Sequence, residues 1–508
     1  MIAATAGAAL AAYAPRAVPV GTMQNEFALD LYRHLVAAKS GDNLFISPYS
    51  IYAALAMTAE GARSKTAEEM GRALHLAAAL RRQGGEAATR PWDFAPVHAR
   101  LGELAAALQR GTGEGSGLSA RVDSLHTALT GANAAAKQAR DHGDSKGAIK
   151  HQQVAMQLAD ELNALLPEVD RYQLRIANAL WADAGCAISP AFVAMLATHY
   201  GTGGVQGVDF RHDAEGARGR INSWAAEQTE QRIRDLLPAG SVNQLTRLVL
   251  ANAIWFKGEW GEVFDSTQTR DESFRLAAGK SARVPLMHRE LRSARYAAFR
   301  GDGSLFPTPR EIDVAAREDP TGPQFYPGSG GFQIAELPYK GGGLSMVILL
   351  PHAPDGLATL ERQLDAARLS AWIGALERRS TDVFLPRFRL EQGRELQAPL
   401  EAMGMKRAFV DGSAEFGGMT TSTNPADALS VSAVLHQAFL EVNEKGTEAA
   451  AATAVVMTRS ARPVQAVPFV PTFRADRPFL FLIRDGSSGA ILFMGRFVRS
   501  NQSRFGVR

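Results

Sequence analysis

Apolar residues recur at helical spacing from about Glu26 to Leu76. FALDLYRHLV carries them at three- and four-residue steps, which predicts an amphipathic helix. NLFISPYSIYAALAMTAEGA reads as a short buried strand, a Ser-Pro helix start and an apolar helix ending near Gly61. TAEEMGRALHL predicts a further helix, with Thr66 as N-cap and acids in the first turn. Later in the chain the pattern changes to strands: YQLRIANALWAD, LTRLVLANAIWFKGEW, FQIAELPYKGGGLSMVILLP and TDVFLPRFRLE. RPFLFLIRDGSSGAILFMGRF reads as a hairpin turning at Asp485-Gly486. EGARGRINSWAAEQTEQRIRDLL predicts a helix between strands. Helices early and strands late, without regular βαβ alternation, indicate an α+β domain.

Two stretches depart from this pattern. Residues 112–167 open with GTGEGSG, a flexible composition. They continue as an Ala-, Gln-, Lys- and Asp-rich tract that predicts exposed helices broken at Gly143 and Gly147. Residues 301–330 carry repeated Gly and Pro and read as an irregular surface excursion. Regular pattern resumes after each, so both read as insertions into one domain spanning residues 23–500. Residues 1–22 are small and apolar, and 501–508 form a short tail. Ala12-Tyr13-Ala14 has the look of a signal-cleavage site, but no Lys or Arg precedes the apolar part. A signal remnant and an alanine-rich disordered end both remain open.

The chain has 508 residues, 46% of them hydrophobic and 21% charged, so a packed core is expected. A net charge of +3 is too small to imply a nucleic-acid or membrane surface. No apolar run reaches the length of a spanning helix, which predicts a soluble chain. The one cysteine, Cys186, cannot close an internal disulfide. Enzyme signatures are missing. There is no HExxH, and Met287-His288-Arg289-Glu290 lacks the second histidine. GTGGVQG from Gly201 does not fit a dinucleotide fingerprint. Asp485-Gly486-Ser487-Ser488-Gly489 is a turn, with its glycines misplaced for a nucleophile elbow. Eleven scattered histidines offer no metal spacing. The expectation is a protein without enzymatic activity, cofactor or metal.

The tract EKGTEAAAATAVV, residues 444–456, is the unusual feature. Three readings stay open on its residues alone: an exposed helix, a linker, or a strand that lies outside a sheet and could enter it. Alanine favours the first. For the third, Thr447, Ala449, Ala451 and Thr453 would face one side of a sheet and Glu448, Ala450, Ala452 and Ala454 the other. Gly446 supplies a hinge.

The surroundings of this tract resemble the serpin family over about residues 24–500, the two inserted stretches aside. The shared stretches, in family order, are NLFISPYSI, TAEEM, RINSWAAEQTEQRIRDLL, LVLANAIWFKGEW, ELPYKGGGLSMVILLP, LPRFRLE, HQAFLEVNEKGTEAAAAT and FRADRPFLFLIRDGSSGAILFMGRF. The resemblance implies a serpin fold: a large central β-sheet, two smaller sheets, about nine helices and an exposed reactive-centre loop over about residues 444–470. It implies an irreversible suicide inhibitor of serine proteases. The protease attacks a bait bond, forms an acyl-enzyme, and is carried off as the cut loop inserts into the sheet. The native fold is then metastable, held by a kinetic barrier.

By the same resemblance, Glu444, Lys445, Gly446, Thr447 and Glu448 match the hinge, and Ala449, Ala450, Ala451 and Ala452 the small-residue tract of inhibitory members. Asn43, Ser47, Ser50, Asn252 and His436 match the hydrogen-bonding cluster where the strands part, and Trp260 the tryptophan at the loop's point of entry. Ser47 and Ser50 would also serve simply as helix caps, His436 as a satisfied core histidine and Trp260 as a core aromatic. Counting along the loop places the bait bond at Arg459-Ser460 or Ser460-Ala461. The first suits a trypsin-like protease and the second an elastase- or subtilisin-like one. The alternative is a non-inhibitory serpin-fold binding or chaperone protein. The 112–167 insertion falls near the helix that some relatives use for polyanions. Its Arg121, Lys137, Arg140, Lys146 and Lys150 are interleaved with Glu114, Asp123, Asp141, Asp144 and Asp160, so a solvated helical surface is the better reading. The expected partner is a target protease alone, with no nucleic acid and no membrane. The chain is expected to act as a monomer, extracellular or periplasmic, although intracellular members exist.

Overall fold

The computed structural model describes residues 20–38, 41–111, 118–141, 144–165, 172–200, 205–276, 279–306, 330–424, 427–447 and 470–500. Among them are eleven α-helices: α1 (Val20–Ala38), α2 (Pro48–Gly61), α3 (Ser64–Ala73), α4 (Ala95–Gly111), α5 (Leu118–Asp141), α6 (Ser145–Leu165), α7 (Pro190–Tyr200), α8 (Ala214–Gln228), α9 (Leu357–Gln363), α10 (Ala366–Gly374) and α11 (Gln397–Ala402). The strands are β1 (Leu44–Ile46), β2 (Tyr172–Asp183), β3 (Val205–Val208), β4 (Leu248–Glu259), β5 (Arg270–Arg275), β6 (Ser281–Leu291), β7 (Arg295–Phe299), β8 (Leu305–Phe306), β9 (Phe332–Pro338), β10 (Leu344–Pro351), β11 (Glu377–Arg378), β12 (Thr381–Pro386), β13 (Phe388–Glu395), β14 (Val431–Asn443), β15 (Gly446–Thr447), β16 (Thr472–Arg474), β17 (Phe479–Asp485) and β18 (Ile491–Phe497).

They form three sheets. The six-stranded sheet runs β13-β14-β15-β4-β2-β3. An eight-stranded sheet runs β1-β18-β17-β10-β9-β7-β11, with β8 on β7, and a four-stranded sheet runs β16-β12-β6-β5. This is an α+β architecture, and α5 and α6 account for two helices beyond the expected nine. The predicted hairpin at Asp485-Gly486 is β17 with β18, in register from Phe479 opposite Phe497. Nearly every side chain of β10, β17 and β18 is buried, so these strands read as continuous apolar runs rather than alternations.

The main core lies beneath the six-stranded sheet, where α2 and the eight-stranded sheet supply Tyr52, Phe45 and Phe481. A smaller core lies on the other face of that sheet. There Ala217, Ile221 and Ala225 of α8 cover Ala251, Ala253 and Ala433. Small residues on the sheet let the helix lie close to it.

Several local expectations are corrected. α1 starts at Val20, before the predicted Glu26. Thr66 is not the cap of α3, which begins at Ser64. The Glu415 carboxylate takes the free amides of Lys65 and Thr66 instead, at 3.0 and 3.3 Å. Within the 112–167 insertion, α5 ends at Asp141 and α6 begins at Ser145; Gly143 lies outside the described residues, and Gly147 lies inside α6. Asp144 caps that helix by accepting from the Gly147 amide at 2.9 Å, so the glycine sits in a first turn and breaks nothing. The helix predicted over EGARGRINSWAAEQTEQRIRDLL stops at Gln228. Glu230 and Gln231 adopt positive φ, and the Asn222 side chain fixes the returning chain by donating to Leu237 O and accepting from Leu237 N.

Candidate functional site

The site is a seam in the six-stranded sheet. β14 and β4 pair in parallel from Val431 opposite Leu248 up to Phe439 opposite Trp255. Above that the two strands part. The chain leaves β14 at Asn443, turns through Glu444 and Lys445, and comes back between them as β15. Gly446 stands opposite Asn443 on one side and Glu259 on the other, and Thr447 opposite Val442 and Gly258, antiparallel to both neighbours. Only glycine fits at 446. A Cβ there would lie 2.0 Å from Gly258 O and 2.6 Å from Glu259 Cα.

The turn is held tightly. Trp260 Nε1 donates to Asn443 O at 2.9 Å, and the Trp260 amide donates to Lys445 O at 2.8 Å. The Trp260 ring is buried and stacks on Tyr339, with centroids 4.8 Å apart. The Phe264 amide donates to Glu444 O at 2.7 Å. The buried Glu444 carboxylate accepts from Thr269 Oγ1 at 2.7 Å and lies 3.6 Å from Arg387 Nη1. Trp260 is thus both a core aromatic and the clamp on the turn. Lys445 adds a bond from its amide to Asn443 Oδ1 at 3.1 Å.

Lower in the seam sits a buried polar cluster. Ser47 caps α2, accepting from the Ser50 amide at 3.3 Å, while its hydroxyl donates to Leu492 O at 2.7 Å. The Ser47 amide donates to His436 Nε2 at 3.1 Å. That fixes the tautomer: His436 carries its proton on Nδ1 and donates it to Asn252 Oδ1. Asn252 Nδ2 donates in turn to Ser50 Oγ and Asn178 Oδ1, and Ser50 Oγ donates to Asn178 Oδ1 at 2.9 Å. The start of α2 therefore straddles the seam, with Ser47 on the β14 side and Ser50 on the β4–β2 side.

The structure brings together Ser47, Ser50, Asn252 and His436. It sets Asn43 apart. That side chain donates to Arg499 O at 2.8 Å and accepts from the amides of Val498 and Arg499, tying down the chain after β18. Asn178 is a member the sequence reading missed. A signal was present: IANALW on β2 and LANAIW on β4 share an Ala-Asn-Ala core, and the two asparagines pair in register. Glu448, Ala449, Ala450, Ala451 and Ala452, and the proposed bait residues Arg459, Ser460 and Ala461, lie outside the described residues.

His436 is fully buried, and burial, followed by the positive charge of Arg394, pulls its pKa down to about 3. The ordinary imidazole value is about 6.5, so between those values the unfolded chain takes a proton that the folded chain refuses. The contribution is fully present above pH 6.5 and is lost as pH falls, at about 1.4 kcal/mol per pH unit. Urea unfolding at stepped pH values below neutrality is expected to show this loss, and His436→Gln is expected to flatten it. An unchanged acid limb in that variant would show that His436 is not the group.

The sequence model of the family described as Serpin (serine protease inhibitor) matches residues 22–500. The chain is 32% identical to Serpin B4 of Homo sapiens over 474 residues, covering 93% of this chain and 97% of that one. It is 38% identical to Serpin-Z1B of Triticum aestivum over 397 residues, covering 74% and 88%. Among solved structures it is similar to uncleaved ovalbumin, at a TM-score of 0.63 and 26% identity over 94% of this chain and 99% of that one. The chain belongs to the serpin family.

Proposed function

We propose that this serpin is an irreversible suicide-substrate inhibitor of serine proteases. The observation that carries the reading is β15: two hinge residues already occupy the seam as the first rungs of a strand. Extending their register residue by residue sets Thr453 between Asn252 and His436, and Met457 opposite Leu248 at the far end of β4. Thr447, Ala449, Ala451 and Thr453 then share the face of Val442 and Asn252 toward the main core, and Ala450, Ala452 and Ala454 face α8. Glu448 falls opposite Lys257 on the α8 side. Alanines suit that passage because α8 lies over the sheet with little room beneath it. The sheet has space for residues 446–457, so a bait bond at Arg459-Ser460 or Ser460-Ala461 hangs just past its far end. A protease acylated there would be carried the length of the sheet.

The test is incubation with trypsin and, separately, with elastase, then denaturation in SDS and mass analysis. The expected product is a covalent adduct of protease and inhibitor, with release of a C-terminal peptide that begins at Ser460 or Ala461. A peptide from Ser460 marks a trypsin-like target, and one from Ala461 a small-pocket target. Cutting at these bonds by both enzymes with no adduct would contradict inhibition.

A further inference from the structure

The geometry points to a second interaction surface, on α6, whose partner is α6 of another copy of this chain. α5 and α6 pack chiefly against each other. Among the described side chains, the buried residues of the pair are Leu125, Ala132 and Ala136 on α5 and Ala148 and Ala155 on α6.

The opposite face of α6 is unusual. Ile149 is 61% exposed and Met156 62%. With Val154 they make three of the six large hydrophobic side chains that are exposed among the described residues, all within eight positions of one helix. Lys146, Ile149, Gln153, Met156 and Asp160 follow one another at alternating steps of three and four, which places them on one stripe. All five are exposed.

The stripe is complementary to itself. Lys146 and Asp160 each lie seven positions from Gln153, with Ile149 four before it and Met156 three after. Two copies of α6 laid antiparallel across a twofold axis at Gln153 set Ile149 against Met156 twice and Lys146 near Asp160 twice. The flanking Glu161 is engaged by Arg121 of α5 at 2.6 Å, so Asp160 is the acid left for the partner's lysine. An acidic end also makes the stripe a poor match for an anionic membrane or polyanion. One helix face on each side is a small interface, so association in the micromolar range is expected. This departs from the monomer expected on sequence grounds, and it does not depend on the inhibitory reading.

Sedimentation of the full chain from about 1 to 100 µM tests the proposal. A dimer should appear as concentration rises, and Ile149→Glu with Met156→Glu should stay monomeric throughout. Lys146→Asp alone turns two attractive pairs into repulsive ones and should weaken association about tenfold. Adding Asp160→Lys to it should restore the dimer, a rescue that damage to the hairpin would not produce. The proposal is overturned if the unaltered chain stays monomeric at the highest concentration, if the Glu variants dimerise as well as it does, or if the double charge swap fails to rescue.

Discussion

On the proposed inhibitory reading, Thr447→Arg is expected to turn this serpin from an inhibitor into a substrate. Position 447 lies opposite Val442, which is 1% exposed, and Gly258, where even a methyl would meet the rings of Phe256 and Tyr339. Arginine at 447 would displace β15 from the gap in the uncut fold, so insertion would have to bring a guanidinium with no described partner back into the seam and bury it unpaired, at a cost of several kcal/mol. Inhibition is a race between strand insertion and deacylation. Each 1.4 kcal/mol added to the insertion barrier slows it about tenfold, so a cost of about 4 kcal/mol slows it about a thousandfold. Water then completes the hydrolysis first. The variant should be cut at the same bond and at a similar rate, yet yield no SDS-stable adduct. Thr447→Ser should keep the adduct. An undiminished adduct with arginine at 447 would mean that the trapped state does not require this residue in the sheet.

Much of the fold was legible because its strongest signals are local. The apolar runs of β10, β17 and β18 are near-continuous since both faces are covered, and the hairpin between the last two needs only a turn. The Ser-Pro start of α2 marks its own cap. What could not be read depends on partners distant in the chain. Glu415, which relieves Thr66 of a capping role, is 349 positions away. The separation of Asn43 from the His436 cluster follows from the path of the chain after β18, which no local pattern encodes. Asn178 is the instructive miss, because its Ala-Asn-Ala context matches that of Asn252 and antiparallel pairing brings equal motifs together. The hinge was legible only through family resemblance. Residue physics alone left EKGTEAAAATAVV open between helix, linker and strand, and the pairing of Gly446 and Thr447 depends on the gap between β14 and β4, of which β4 lies far from the tract in sequence.

The second large effect concerns the cut protein. The seam holds two rungs of a strand and has length for about ten more, which the β14–β4 ladder now closes. Cutting the loop frees its N-terminal part to continue the register. Each residue that enters pairs with strands on both sides, and Val455 and Met457 would gain about 1.5–3 kcal/mol each from burial. A gain on the order of 10 kcal/mol in a chain of this size raises the melting temperature by roughly 10 °C. The His436–Asn252 bond must break in the process, and Thr453 would take its place between them. Scanning calorimetry of the intact protein and of the protein cut between Arg459 and Ala461, at one scan rate, tests this most directly. The account requires a rise of roughly 10 °C on cutting. An unchanged or lower melting temperature would show that the freed segment stays out of the sheet, and would contradict the insertion on which the inhibitory reading depends.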